Sequence, residues 1–205
     1  MCGISGFFLF KDLKDFNFEK LKKITNTINH RGPDSRDFWY SKQDRIYLGH
    51  TRLSILDLSD RGSQPMTSSC GRFVISFNGE IYNFKKISQK LKKEFNIEFA
   101  NGTDTIVLLE AISRYGLSEA LKKIEGMFAF VIWDKKEKKV FLARDRFGEK
   151  PLFYYRDKDL IIFGSELKVI KSAYNLNLKI SRKASYYYSM LGYIPAPLSI
   201  YENVF

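Results

Sequence analysis

Gly3 to Phe10 is almost wholly apolar and aromatic, the signature of a strand that enters a core directly from the chain start. Phe18, Leu21, Ile24 and Ile28 then recur at steps of three, three and four, which predicts an amphipathic helix, with Asn17 placed to cap it. That helix must end before His30-Arg31-Gly32-Pro33-Asp34, because proline restricts the residue before it and glycine breaks the pattern. Phe38 to Tyr40 and Arg45 to Gly49 read as a short strand pair. His50 to Asp57 then leaves the sheet for a polar loop over 59–71. Arg72 to Asn78 alternates, with Phe73, Ile75 and Phe77 on one face and Val74 and Ser76 on the other. Asn78-Gly79 signals a tight turn at its end.

The middle of the chain reads as helices. Phe84 to Phe95 is lysine-rich, and a second helix follows Thr103-Asp104 with Ile106, Leu109 and Ile112 apolar and Gly116 as its stop. Leu117 to Ile124 forms a shorter third. Met127 to Trp133 and Val140 to Ala143 flank a polar turn as a hairpin, and their continuous hydrophobicity predicts strands covered on both faces. Phe153 to Tyr155 and Leu160 to Phe163 make another pair. A helix then starts at Ser165 or Glu166, and a last one runs from Ser181 to Leu191. The order strands, helices, strands predicts an α+β fold of two antiparallel sheets with helices outside.

Composition narrows the class. With 205 residues, 44% of them hydrophobic and 16% aromatic, the chain can bury a real core. No apolar run reaches the ~18 residues of a membrane span, and no signal peptide opens the sequence. Two cysteines, Cys2 and Cys70, give neither a disulfide framework nor metal-ligand spacing. A cytoplasmic protein without metal is the expectation. The net charge of +11 comes from lysine runs on helix exteriors and a hairpin turn. The aromatics lie instead in the apolar strand runs, so solvated surface is the better reading than a nucleic-acid face.

The candidate chemistry begins at Met1-Cys2-Gly3. Removing Met1 would leave Cys2 with a free α-amine beside its thiol. An amine with a pKa near ~7.7–8.0 can take the thiol proton at neutral pH, making nucleophile and base one residue. Gly3 would let the backbone lie close to a substrate. Attack on a carbonyl needs donors for the developing oxyanion, and Asn78 and Gly79 could supply a side-chain and a backbone N–H. Arg52 could hold a carboxylate bidentately, and Glu80 and Asp104 could receive an ammonium. Each of these residues also has a bland reading, as a turn, a surface charge or a helix cap.

Taken in order, Cys2-Gly3-Ile4, Arg31-Gly32-Pro33-Asp34, Gly49 to Ile55, Ser63-Gln64-Pro65-Met66, Phe77 to Asn83, Thr103-Asp104-Thr105, Gly126 to Phe130 and Ala143 to Leu152 form one pattern. It resembles the class II glutamine amidotransferase domain of glutamine-hydrolysing asparagine synthetases, across essentially the whole chain. The resemblance implies an N-terminal-nucleophile hydrolase fold, a four-layer αββα sandwich. It implies glutaminase chemistry through a Cys2 thioester, with Asn78 and Gly79 as the oxyanion hole. It further implies that Arg52 pairs the α-carboxylate of L-glutamine, Glu80 and Asp104 bind its α-ammonium, and Leu53, Ser54, Ile55 and Leu56 line the pocket. The implied partner is an ammonia-accepting synthetase domain. ATP and Mg belong to that domain, and no cofactor to this chain. A homodimer is one allowed assembly, and neither nucleic acid nor membrane is an expected partner.

Two departures stand out. Ile106 replaces the glutamate that would complete a capping box with Thr103, which predicts a slightly weaker helix start. No Ser-Gly-Gly-x-Asp-Ser loop follows, so residues 1–192 read as the glutaminase domain and 193–205 as the start of a linker to a synthetase domain. The Arg146-Phe147-Gly148-Glu149-Lys150-Pro151 variant resembles relatives in polysaccharide biosynthesis, an alternative source of the ammonia acceptor. Three rivals remain: a Cys-His protease using His30 or His50, a catalytically silent docking module if Met1 stays, and a nucleic-acid binder.

Overall fold

The computed structural model describes residues 1–54, 62–99, 103–173 and 178–205. Nine strands form two antiparallel sheets among these residues. The first sheet holds β1 (Gly3–Leu9), β2 (Ser35–Ser41), β3 (Ile46–Arg52), β8 (Phe153–Arg156) and β9 (Leu160–Gly164), in the order β2-β3-β1-β9-β8. The second holds β4 (Met66–Thr67), β5 (Phe73–Ile81), β6 (Gly126–Asp134) and β7 (Lys139–Arg144), in that order. β1 is central to its sheet, paired with β3 on one side and β9 on the other. Its apolar sequence is therefore covered on both faces, as a central strand requires.

Three apolar clusters divide the molecule into layers. Phe7, Leu21, Ile24, Ile28, Val169 and Ile170 join the first sheet to α1 (Phe18–Asn26) and α5 (Leu167–Ala173). Phe77, Ile87, Leu91, Leu108 and Ile112 join the second sheet to α2 (Phe84–Phe95) and α3 (Asp104–Tyr115), with α4 (Leu117–Lys123) beside them. Ile4, Leu48, Val74, Val131, Trp133 and Phe163 fill the space between the sheets. Helix, sheet, sheet, helix is the four-layer αββα sandwich expected, and the two-residue alternation of each strand divides its side chains between two of these layers. After α6 (Arg182–Leu191), the chain returns to the first sheet, where Phe205 and Tyr154 exchange backbone hydrogen bonds of 2.9 and 2.8 Å.

Local rules account for most element ends. Asn17 accepts from the Lys20 N–H at the start of α1, Thr103 from the Ile106 N–H at the start of α3, and Ser181 from the Ala184 N–H at the start of α6. The Thr103 bond is long, 3.4 Å, as fits a cap without its glutamate partner. Gly116, at φ +81°, ends α3, a conformation that side chains resist. β6 is buried along nearly its whole length, as its continuous hydrophobicity predicts, while β7 is only partly covered.

Three strand expectations need correcting. Asn78-Gly79 is not a turn: β5 runs through it to Ile81, with Asn78 opposite Ala129 and Gly79 opposite Phe128. Ile81 continues the apolar alternation and the partner strand takes up the backbone bonds, so tertiary pairing overrides the dipeptide signal. His50, Thr51 and Arg52 stay in the sheet, because Thr51 pairs with Gly3 on β1 and Arg52 with Ser35 on β2. The polar loop over 59–71 contains β4, which pairs with Ile75 and Val74.

Candidate active site

β1 begins at Gly3, so Cys2 lies at one end of the first sheet, half-buried, with its Sγ 3.8 Å from the Leu53 carbonyl oxygen. Several contacts fix this end. Ser165 accepts from the Ile4 N–H and donates its own N–H to the Ile4 carbonyl, both at 2.9 Å. Arg31 donates from Nε to the Cys2 carbonyl at 3.0 Å and from Nη1 to Glu166 at 3.2 Å. Arg31 had no role in the sequence reading, although its Arg-Gly-Pro-Asp motif was the available signal. Gly3 packs against protein: an added Cβ would lie 2.5 Å from Thr51 Oγ1 and 2.9 Å from Ile28 Cδ1. Its smallness lets β1 close onto β3.

The second sheet meets this end through His50. Its buried Nε2–H donates to the Phe77 carbonyl at 3.0 Å, and Ser76 donates to the Gly49 carbonyl at 3.3 Å. Ile4 is the β1 partner of His50, and Asn78 follows Phe77, so these cross-sheet bonds tie the start of β1 to the Asn78 region. The Asn78 side chain is buried, and its Nδ2 has no hydrogen-bond partner among the described residues. A buried, unmatched amide donor costs roughly 1–3 kcal/mol, a state that Asn78 shares with Ser35 Oγ and Trp133 Nε1 among the described residues.

The backbone of β5 supplies the second donor. Phe77 N–H donates to Gln64 Oε1 at 2.6 Å and Ile81 N–H to Asp104 Oδ2 at 3.0 Å, both on the edge away from β6. Strand alternation turns the Gly79 N–H toward that same edge, in the gap between Gln64 and Asp104. Gly79 cannot carry a side chain, since a Cβ would overlap the Met127 carbonyl oxygen and lie 2.6 Å from Phe128 Cα.

Of the charged candidates, Glu80 follows Gly79 on β5 and Asp104 is bonded to Ile81 at the end of that strand. Asp104 opens α3 and also accepts from the Thr105 N–H at 2.8 Å. Burial pushes its carboxyl above the usual range and the nearby Glu80 adds to that, outweighing the bonds it accepts. A buried carboxylate raised in this way is one that a bound cation would relieve. Arg52, at the end of β3, is almost fully buried, and a Cβ on Gly62 would lie 2.9 Å from its Cζ. Asp34 accepts from the Ser54 N–H at 2.7 Å and donates its own N–H to the Arg52 carbonyl at 3.1 Å. Leu53 and Ser54 therefore follow Arg52 along the Cys2 end. Ile55 and Leu56, the other two pocket residues expected, lie outside the described residues.

The histidines serve elsewhere. Burial pushes His50 down to about 4, with the charge of Arg52 adding to the effect, so it is neutral and committed to Phe77. His30 is exposed and contacts Glu166 at 2.8 Å. Neither bonds to Cys2, which removes the support for a Cys-His protease. Cys70 is exposed, with Ser68 and Ser113 as its neighbours. Among the described residues no group of histidine, cysteine, aspartate and glutamate could hold a metal ion, and no helix is long and apolar enough to cross a membrane.

Known proteins agree with this layout. The family model described as a glutamine amidotransferase domain matches residues 1–205. A Methanocaldococcus jannaschii protein that carries the provisional name glutamine-hydrolysing asparagine synthetase 2 is 42% identical, over 100% of this chain and 42% of its own length. Glutamine-hydrolysing asparagine synthetase 1 of Bacillus subtilis is 36% identical, over 100% of this chain and 32% of its own length. The chain thus spans less than half the length of these relatives. The solved structure of glutamine phosphoribosylpyrophosphate amidotransferase from B. subtilis superposes with a TM-score of 0.68 at 18% identity, over 84% of this chain and 43% of that one, a likeness of fold. The sandwich, the N-terminal cysteine at its end and the full-length match lead to one assignment: the chain belongs to the glutamine amidotransferase family of enzyme domains.

Proposed function

We propose that this domain hydrolyses L-glutamine to glutamate and ammonia through a thioester on Cys2, after removal of Met1. The Cys2 amine takes the thiol proton as sulfur bonds to the side-chain amide carbon. Asn78 Nδ2–H and Gly79 N–H hold the oxyanion. The C–N bond then breaks, the amine returns the proton, and ammonia leaves. Water attacks the thioester, its proton passing to the same amine, and glutamate departs with Cys2 restored. Arg52 holds the substrate carboxylate, and Glu80 and Asp104 its ammonium, so a free amino acid is selected over a peptide.

The observation that carries this reading is the buried, unmatched Asn78 Nδ2 next to the Gly79 backbone. Removing one oxyanion donor costs on the order of 10²–10³ in kcat. Asn78→Ala should therefore lower kcat for ammonia release by that factor with little change in KM, and Cys2→Ala should abolish it. Equal activity of Asn78→Ala and the unmodified protein would refute the assignment.

The relatives are named asparagine synthetases and exceed this chain more than twofold in length. On that support, the ammonia passes to a synthetase domain that uses ATP and magnesium, with aspartate as acceptor. Residues 193–205 then lead into that domain. The domain acts in the cytoplasm, where its substrates are made.

A further inference from the structure

Glu166 lies just before α5, and its backbone is held on both sides. The Val169 N–H donates to its carbonyl at 3.0 Å, and the preceding Ser165 holds Ile4 by two bonds of 2.9 Å. Its carboxylate accepts from Arg31 Nη1 at 3.2 Å, while Arg31 Nε donates to the Cys2 carbonyl at 3.0 Å. Consecutive residues thus grip the start of β1, at Ile4 directly and at Cys2 through Arg31. Arg31 Nη2 also meets the Met1 sulfur at 3.9 Å, but the bonds to Glu166 and Cys2 do not involve Met1, so its removal takes away neither partner.

Glu166 also contacts His30 at 2.8 Å and Lys168 at 3.0 Å. Those side chains are 56% and 43% exposed, where water screens an ion pair and can replace it. The Arg31 side chain is 9% exposed with Met1 in place, and Glu166 is its ion-pair partner among the described residues. Burial acts to raise the Glu166 carboxyl, but the bonds from Lys168, His30 and Arg31 outweigh it and hold the group below the ordinary range, ionised at neutral pH.

We propose that Glu166 is a positioning residue for the glutaminase reaction, fixing the Arg31 guanidinium on the Cys2 carbonyl and, through it, the nucleophile. The proposal rests on the glutaminase reading above. Once Met1 is gone, Cys2 keeps a single peptide link, to Gly3, and its carbonyl lies in that link. The amine and the thiol both turn about the Cα–C bond that joins them to it. The peptide plane that Arg31 holds is therefore the reference from which both approach a substrate, and a misplacement of about 1 Å can cost about 10²-fold in rate. The bonds of the Glu166 carboxylate go to His30, Arg31 and Lys168, and to none of the residues that hold glutamine in this reading. Its loss belongs in kcat rather than KM.

The test uses Met1-processed protein, confirmed by intact mass, with Glu166→Ala, Glu166→Gln, Arg31→Ala and the double variant Glu166→Ala/Arg31→Ala. Turnover is divided by the number of Cys2 thiols titrated to completion with a glutamine-analogue electrophile, so a loss of folded protein does not enter kcat. Glu166→Ala should lower kcat about tenfold with KM within about twofold. Glu166→Gln keeps an acceptor for Arg31 and should retain most of the activity. The double variant should lose no more than Arg31→Ala alone, since Glu166 acts through that side chain. A second readout needs no turnover. With cysteine labelled by carbon-13 at the carbonyl, Cys2 and Cys70 give separate signals. Glu166→Ala should move the Cys2 signal in the direction set by Arg31→Ala and leave that of Cys70 in place. Unchanged kcat per titrated site, losses that multiply in the double variant, or a Cys2 signal that only Arg31→Ala moves would each overturn the role of Glu166. Where Glu166→Ala does not fold, Glu166→Asp, charged but one methylene shorter, carries the same expectations. If the unmodified, processed protein releases no ammonia, the glutaminase reading fails instead, and the Cys2 signal still decides whether Glu166 holds Arg31 on that carbonyl.

Discussion

Asp104 performs two tasks with one carboxylate. It accepts from Ile81 and Thr105, and burial keeps it above its usual range beside Glu80. A bound ammonium would lower it again, so glutamine binding to a Cys2→Ala variant should release protons at mildly acidic pH. Calorimetry in buffers of different ionisation enthalpy measures this, and Asp104→Asn should abolish the release and raise KM on the order of 10- to 100-fold. His50 gives a stability signature. Its folded value of about 4 lies below the ordinary 6.5, so the unfolded chain binds the extra proton between those values. Stability is full above 6.5 and falls by about 3 kcal/mol as pH drops to 4, a slope that His50→Gln should flatten in denaturant titrations while leaving ammonia release near normal. Gly79→Ala places a methyl group against Met127 and Phe128 backbone and should cost about 1–3 kcal/mol or more, read as a lower denaturant midpoint.

At the scale of elements, the patterned segments were legible and their junctions were not. Phe18, Leu21, Ile24 and Ile28 announced α1, and Asn17 its cap, because helix periodicity and capping are local. Asn78-Gly79 misled because the same dipeptide serves a turn or a close strand contact, and only the ladder to β6 decides between them. The bond of Ser165 to Ile4 and that of Arg31 to Cys2 span 161 and 29 residues, and no local rule anticipates such pairs. Cys2, Asn78, Gly79, Arg52, Glu80 and Asp104 were named from residue chemistry and then ordered by family resemblance. The physical reasons for two of them emerged only in three dimensions: the unmatched Asn78 amide and the edge-facing Gly79 N–H. The loop around Asp145 is the element whose loss should be most specific. Asp145→Ala leaves four backbone N–H groups without their acceptor and should cost about 2–4 kcal/mol, measurable by chemical denaturation.

For the whole molecule, part of the charge of +11 is matched by carboxylates at the surface. Lys11, Lys90, Lys92, Lys122 and Lys138 pair with carboxylates within 4 Å, and Lys135 lies over the Trp39 ring. Retention on immobilised DNA should be lost at moderate salt without the steep dependence of many phosphate contacts. The two sheets are tied near the start of β1 by the His50 bond to the Phe77 carbonyl. In the proposed reaction, removal of one methionine is the decisive event. The direct measurement is glutamate and ammonia release by two samples of the folded protein, one processed to Cys2 and one retaining Met1, each treated afterwards with a glutamine-analogue electrophile. The processed sample should release the two products in equal amounts and carry a single adduct on Cys2, and the other should do neither. Equal turnover by the Met1-bearing protein, or an adduct on Cys70, would contradict the account.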